Sequence, residues 1–314
     1  MKTSAMAGDA SKAMTGNNAL QTNRIQALTG DGFEIGNHSA VNQSGQTYHW
    51  IAFGAGSDID VGAYTGNAAT QAVTGIGFSP EMVWSLNAAA QSVRWESSLS
   101  TATFDFNQTS YGTAGFTSLN ADGFTVDSST ALNGSGNTVY YIAFNQNADY
   151  FSLNTYVGNS VNNRNITGVG FEPELVFVRE TTGSNFVDLK TESSGYNTNV
   201  AGGFGNFGQT YANYIKALQS DGFQVGTDPD ENASGRTYAY FAFKQHDAPL
   251  IVDTTSDTSD GTVTSINALR ANKGADGKIS LREAIAAANA THNGTIADQI
   301  QFNIAGRGSP DDHG

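Results

Sequence analysis

Asp253, Asp257 and Asp260 fall within the stretch DTTSDTSDG, and Asp276 follows in NKGADGKISLRE. Carboxylates at such short intervals are the chemistry of a hard cation, since calcium gathers roughly six to eight oxygen ligands. The second stretch follows a calcium-binding loop in part. With Asn272 at its first position, Asp276 is fifth, Gly277 sixth, Ile279 eighth and Glu283 twelfth, while Gly274 at the third removes one usual oxygen. Asp253, Asp257, Asp260 and Asp276 are therefore candidate calcium ligands. The competing reading of Glu283 is a helix cap.

Two other sets of residues invite chemistry. Tyr64 and Tyr156 each open a Y-x-G-N element and could offer aromatic faces to sugar rings; ordinary core or edge packing is the alternative. Asp31, Asp122 and Asp221 each precede Gly-Phe, and either hold a ligand or cap a turn with a side-chain oxygen. The histidines show no metal-ligand spacing, and neither a nucleophile elbow nor a phosphate-binding loop occurs. His49 stands where other copies of the same stretch have Tyr140 and Ala239, so it reads as structural. No catalytic residue can be named, and the protein is expected not to be an enzyme.

Composition narrows the partners. A net charge of −14 with 15 Lys and Arg, none of them clustered, speaks against nucleic acid and anionic membranes. Charged residues make up 14%, below the roughly 25% usual in soluble proteins. The remaining polarity comes from Asn, Gln, Ser, Thr and Gly, which favour turns and exposed β-structure over helices. Cysteine is absent, no run is apolar enough to span a membrane, and the opening MKTSAMAGDASKAM has no signal-peptide core.

The elements that must hold these residues recur. GDGFEIGNHSAVNQSGQTYHWIAF (30–53), ADGFTVDSSTALNGSGNTVYYIAF (121–144) and SDGFQVGTDPDENASGRTYAYFAF (220–243) are versions of one stretch. YTGNAATQAVTGIGFSPEMVW and YVGNSVNNRNITGVGFEPELVF precede the second and third. The period is about 92 to 99 residues, too long for a small solenoid repeat and right for one β-domain per unit. Asp-Gly and N-x-S-G mark turns, and TYHWIAF, apolar on both faces, predicts a central strand buried between layers. The expected fold is mainly β: tandem antiparallel β-sandwich or jelly-roll modules. Residues 1–56 form a partial module, 57–147 and 148–246 complete ones. Residues 247–314 form a distinct segment with one helix over 280–289, opened by a Ser280/Glu283 capping box.

ISLREAIAAANAT (279–291) and ADQIQFNIAG (297–306) resemble the CSLREA-type lead-in of large bacterial surface proteins, with Ile279 in place of the usual Cys. That resemblance implies a following right-handed parallel β-helix, of which residues 247–314 would hold only the start. The GF-x-P-E-x-V and DGF units are similar to a β-rich module of bacterial extracellular and phage tail-associated proteins. It implies a surface or adhesive setting and brings no catalytic residues.

Together these readings favour an extracellular or cell-surface structural protein. It would self-assemble head to tail into a filament through incomplete terminal units, unless those units are simply fragment ends. A carbohydrate-binding module with surface glycans as partner is the alternative, and part of a polysaccharide-degrading β-helix enzyme the remote one.

Overall fold

The structure, a computed structural model, describes residues 1–30, 32–54, 56–99, 102–106, 111–112, 115–182, 187–191, 200–203, 211–244, 250–291 and 298–304. It is mainly β, in antiparallel sheets. The first unit holds β1 (Ile25–Thr29), β2 (Gly32–Ile35) and the single turn α1 (Ser39–Asn42). The second holds β3 (Ile59–Thr65), β4 (Gln71–Thr74), β5 (Met82–Asn87), β6 (Arg94–Ser97), β7 (Thr103–Asp105), β8 (Tyr111–Gly112), β9 (Phe116–Asn120), β10 (Gly123–Val126), α2 (Thr130–Asn133) and β11 (Thr138–Phe144). The third repeats that order as β12 (Phe151–Val157), β13 (Arg164–Thr167), β14 (Leu175–Glu180), β15 (Asp188–Thr191), β16 (Val200–Gly203), β17 (Tyr211–Ala212), β18 (Ile215–Gln219), β19 (Gly222–Val225), α3 (Pro229–Asn232) and β20 (Thr237–Phe243).

Each complete unit builds a six-stranded sheet, ordered β3-β11-β5-β6-β7-β8 or β12-β20-β14-β15-β16-β17, and a three-stranded one, β4-β10-β9 or β13-β19-β18. The connectivity interlocks the two halves of a unit. The late strand β11 lies between the early strands β3 and β5, and β10 takes early β4 on one side and late β9 on the other.

Alternation along β11 explains why its sequence is apolar on both faces. Val139, Tyr141 and Ala143 join Val73, Phe116, Phe124 and Val126 in the core between large and small sheet. Ile142 and Phe144 point the other way, with Trp84, Trp95, Phe177, Phe241 and Phe243, into a core that both complete units share. The first unit contributes Met6 to that core, with Met1, Met14, Leu20 and Phe53 packed against it. Phe53, Phe144 and Phe243, the same position in each unit, touch one another at centroid separations of 5.6, 5.0 and 5.6 Å.

TYHWIAF, predicted as a buried central strand, is no strand in the first unit: residues 47–53 are largely exposed. The physical reason is pairing. Its counterparts β11 and β20 each sit between two strands from the front half of their unit, whereas residues 47–53 pair with no strand among the described residues. β2 likewise pairs with β1 alone.

Beyond Phe243, β21 (Leu250–Val252) pairs in parallel with β22 (Ile300–Phe302). Between them lie α4 (Ile266–Ala271), which the sequence reading did not anticipate, and α5 (Leu281–Ala290). α5 opens with the expected capping box, Ser280 Oγ accepting from Glu283 N and Glu283 from Ser280 N.

Candidate assembly interface

The repeated motif residues converge on one place in each complete unit, the joint between its front half (β3–β5 or β12–β14) and its back half. Tyr64 Oη donates to Leu132 O at 2.6 Å, and Tyr156 Oη to Glu231 O at 2.8 Å. The asparagine ending the short helix reads the G-N turn that follows this tyrosine: Asn133 Oδ1 accepts from Asn67 N at 2.8 Å, and Asn232 Oδ1 from Asn159 N at 3.0 Å. Close approach makes the turn's glycine obligatory. A Cβ on Gly66 would stand 2.3 Å from Gly134 O, and one on Gly158 2.1 Å from Ala233 O.

The aspartate of each DGF turn fastens a third point. Asp122 accepts from Gly75 N at 3.0 Å and Gly77 N at 2.7 Å, and Asp221 from Gly168 N and Gly170 N at 3.0 and 2.8 Å. These carboxylates therefore hold the T-G-x-G-F loop of the front half, rather than only capping their own hairpins. Asp31 lies outside the described residues.

The first unit keeps the back-half side of this joint in the same geometry. Tyr48 Oη donates to Ser39 O at 2.5 Å and accepts from Gln43 N at 3.0 Å, as Tyr238 does with Pro229 O and Ala233 N at 2.6 and 2.9 Å. Phe33 meets Trp50 edge-on at 5.5 Å, as Phe124 meets Tyr141 at 5.4 Å and Phe223 meets Tyr240 at 5.2 Å. Asn42 Nδ2 donates to Gly36 O at 3.0 Å, as Asn232 Nδ2 does to Gly226 O at 2.7 Å.

What differs is the cover. Trp50 is 67% exposed where Tyr141 and Tyr240 are 7% and 2%; Ile35 is 42% exposed where Val126 and Val225 are 0%. A Cβ on Gly123 or Gly222 would lie 2.0 Å from a carbonyl of the neighbouring front-half strand, whereas at Gly32 the nearest atom is 3.8 Å away. Leu28 and Tyr48 are exposed as well.

A model described as a domain of unknown function, DUF7483, matches residues 55–148 and again residues 146–276. The chain belongs to this family. The first DUF7483 match opens just before β3 and closes after β11, so front and back halves together make up the family's unit. The second runs on to residue 276 and ends before ISLREAIAAANAT. No curated protein matches the chain, and no solved structure does.

Tyr64 and Tyr156, candidate sugar platforms by sequence, are corrected by this geometry. Both rings are buried against Phe124 and Phe223, and burial raises both phenol pKa values. No face is left for a pyranose. The calcium candidates are likewise placed apart, and no group of three or more acidic or histidine side chains suited to a metal occurs among the described residues. Asp253 Oδ1 accepts from Ile279 N at 2.7 Å, Asp260 Oδ2 from Ala275 N at 2.7 Å and Asp276 Oδ1 from Lys278 N at 2.8 Å. Asp257 is held by Arg282 Nε at 2.9 Å. Glu283, at the twelfth place of the supposed loop, accepts from Asp260 N, Gly261 N and Ser280 N at 2.8–2.9 Å. These acids fasten a loop to α5 by charge-assisted hydrogen bonds.

Sequence reasoning passed over Asn42, Asn133 and Asn232 as generic turn residues. Their recurrence at one offset from DGF was the signal, but the front-half partners of Asn133 and Asn232 lie far off in sequence, at Asn67 and Asn159.

Proposed function

We propose that the protein is a non-enzymatic structural β-repeat protein of the cell exterior, built into a larger assembly through its open first unit. One observation carries this reading. Positions fully covered in two copies of the unit lie exposed in the third, which otherwise keeps the same internal contacts. Exposed Leu28, Ile35, Tyr48 and Trp50 on a unit whose described strands pair only with each other are the kind of surface that soluble proteins keep for association. The extracellular setting rests on the resemblance of the units to modules of bacterial surface and phage tail-associated proteins.

The test is native particle mass by light scattering over a concentration series, with negative-stain microscopy of the same sample. Particles that grow with concentration, and that Trp50→Ser keeps small, are the expected result. A 32.9 kDa monomer at every concentration would overturn the reading.

A further inference from the structure

We propose that the Asp188–Glu231 carboxyl pair is a pH latch on the third unit: the proton the two share holds the joint between its front and back halves closed, and giving that proton up frees α3 and opens the joint. The latch stands apart from the proposed function and needs no partner molecule.

The position of Glu231 carries the inference. Glu231 is 0% exposed and Asp188, on β15, 3%. The two carboxyl groups face each other, and among the described residues neither Glu231 oxygen has an N–H or O–H donor. The main chain of Glu231, meanwhile, belongs to the joint. Its carbonyl accepts from Tyr156 Oη at 2.8 Å. The next residue, Asn232, accepts from Asn159 N at 3.0 Å and, through its own carbonyl, from Ser160 N at 2.7 Å; its Nδ2 donates to Val161 O at 2.9 Å. α3 is a single turn, so the Glu231 carboxyl cannot reach water while these contacts stay in place. A second buried negative charge is strongly unfavourable there. Lifting α3 hydrates both acids and carries the joint's hydrogen bonds away with it.

The surroundings do not supply the missing compensation. Among the described residues, the titratable groups around the pair are Asp228 and Asp230 on α3, Arg179 and Glu180 on β14, Lys190 on β15, Tyr156 on β12, Tyr238 on β20, and Tyr214 just before β18. None of them donates to Glu231. Arg179 stacks on Phe104 of the second unit, 4.8 Å from the ring centre, Glu180 accepts from Arg236 Nη1 at 2.9 Å, and Tyr214 Oη donates to Asp230 at 3.1 Å. Burial, and after it the charges of Asp230 and Asp228, oppose ionisation of Asp188, and the pull of Arg179 is weaker than these.

The second unit has the same joint without the latch. Leu132 stands in the place of Glu231, its carbonyl accepting from Tyr64, and Arg94 stands opposite Ser85 as Asp188 stands opposite Val178. The first unit shows that a back half keeps its own contacts when uncovered. Residues 47–53 pair with no strand among the described residues, yet Tyr48 and Asn42 hold their repeat's hydrogen bonds.

The closed joint binds one proton more than the open one. Its opening constant therefore rises with pH, by up to about tenfold per unit above the ordinary carboxylate range near about 4. Hydrogen exchange of the full-length protein, followed by mass spectrometry from pH 5.5 to 7.5 and corrected for intrinsic exchange, reads this opening. The range stays below about 8, to which burial pushes the Glu96 carboxyl of the second unit. Opening over residues 158–161 and 229–235 should rise at least about tenfold across it, and over the equivalent 66–69 and 130–136 by less than about twofold. Glu231→Leu, which copies the second unit, should leave 158–161 and 229–235 with no pH dependence. Glu231→Gln, neutral and able to donate to Asp188, should do the same and carries the test if the leucine variant does not fold. A third unit whose opening does not rise with pH, or rises only in step with the second, overturns the inference. So does a rise that survives substitution of Glu231.

Discussion

At the scale of single residues, the third unit carries a buried acid pair in place of apolar packing. Glu231 occupies the position of Leu132 and is fully buried. Among the described residues neither of its oxygens has an N–H or O–H donor, and the group facing it is the Asp188 carboxyl. Two carboxyl groups can meet in that setting only by sharing a proton. Burial, ahead of the neighbouring charges of Asp228 and Asp230, pushes Asp188 up to about 6 and Glu231 well above the usual carboxylate range. The folded state therefore binds more protons than the unfolded chain once pH exceeds about 4, so stability falls as pH rises. The pair's contribution is complete below about pH 4 and is lost as pH climbs through 6 and beyond. Glu231→Leu should stabilise the protein by about 1–3 kcal/mol at pH 8 and flatten the pH dependence of urea unfolding. An unchanged pH profile would remove the shared proton. The Asp122 clasp gives a second expectation at this scale. Asp122→Ala frees two backbone N–H groups and should cost about 1–2 kcal/mol in the same assay.

At the scale of elements, α5 and the acidic loop form one device. Burial alone would raise the Glu283 carboxyl, but donors on Ser280, Gly261 and Asp260 outweigh it and hold the group below its usual value. Its contribution is present above about pH 4.3 and disappears as pH falls through the lowered folded value. Glu283→Ala should cost about 1–3 kcal/mol at pH 7 and lower protection of α5 amides from hydrogen exchange. Because the loop carboxylates are engaged by N–H donors and by Arg282, millimolar calcium should move Tm by less than about 1 °C. A saturable upward shift would restore the cation site read from sequence. Local signals were legible here: the Ser280/Glu283 capping box, the DGF turns and the alternation of TVYYIAF all concern residues a few positions apart. Cross-strand partners were not. Nothing in the acidic spacing shows Asp260 turned to Ala275 N, and nothing near Tyr64 shows it reaching Leu132. The strand predicted at TYHWIAF failed for a related reason. A strand is a pairing, and alternation records a segment's fitness to pair rather than the presence of its partner.

For the whole molecule, the shared core makes the two complete units one cooperative body. Trp84 touches Phe106 and Phe144 of its own unit and Phe177 and Phe241 of the next. Calorimetry should show a single main transition for both units, and Trp84→Ala, at a cost of about 3–5 kcal/mol, should lower all of it. Two resolved peaks, with only one displaced, would mean the units melt independently. The three phenylalanines at the centre carry a further consequence. Three equivalent points that each touch the other two form a closed circuit, the mark of rotation about an axis rather than translation along one. Such a circuit has three seats, all occupied, so the arrangement is self-limiting. The Phe53, Phe144 and Phe243 circuit has no place for a fourth member, so growth with concentration has to use faces away from it, of which the exposed Trp50 side of the first unit is one.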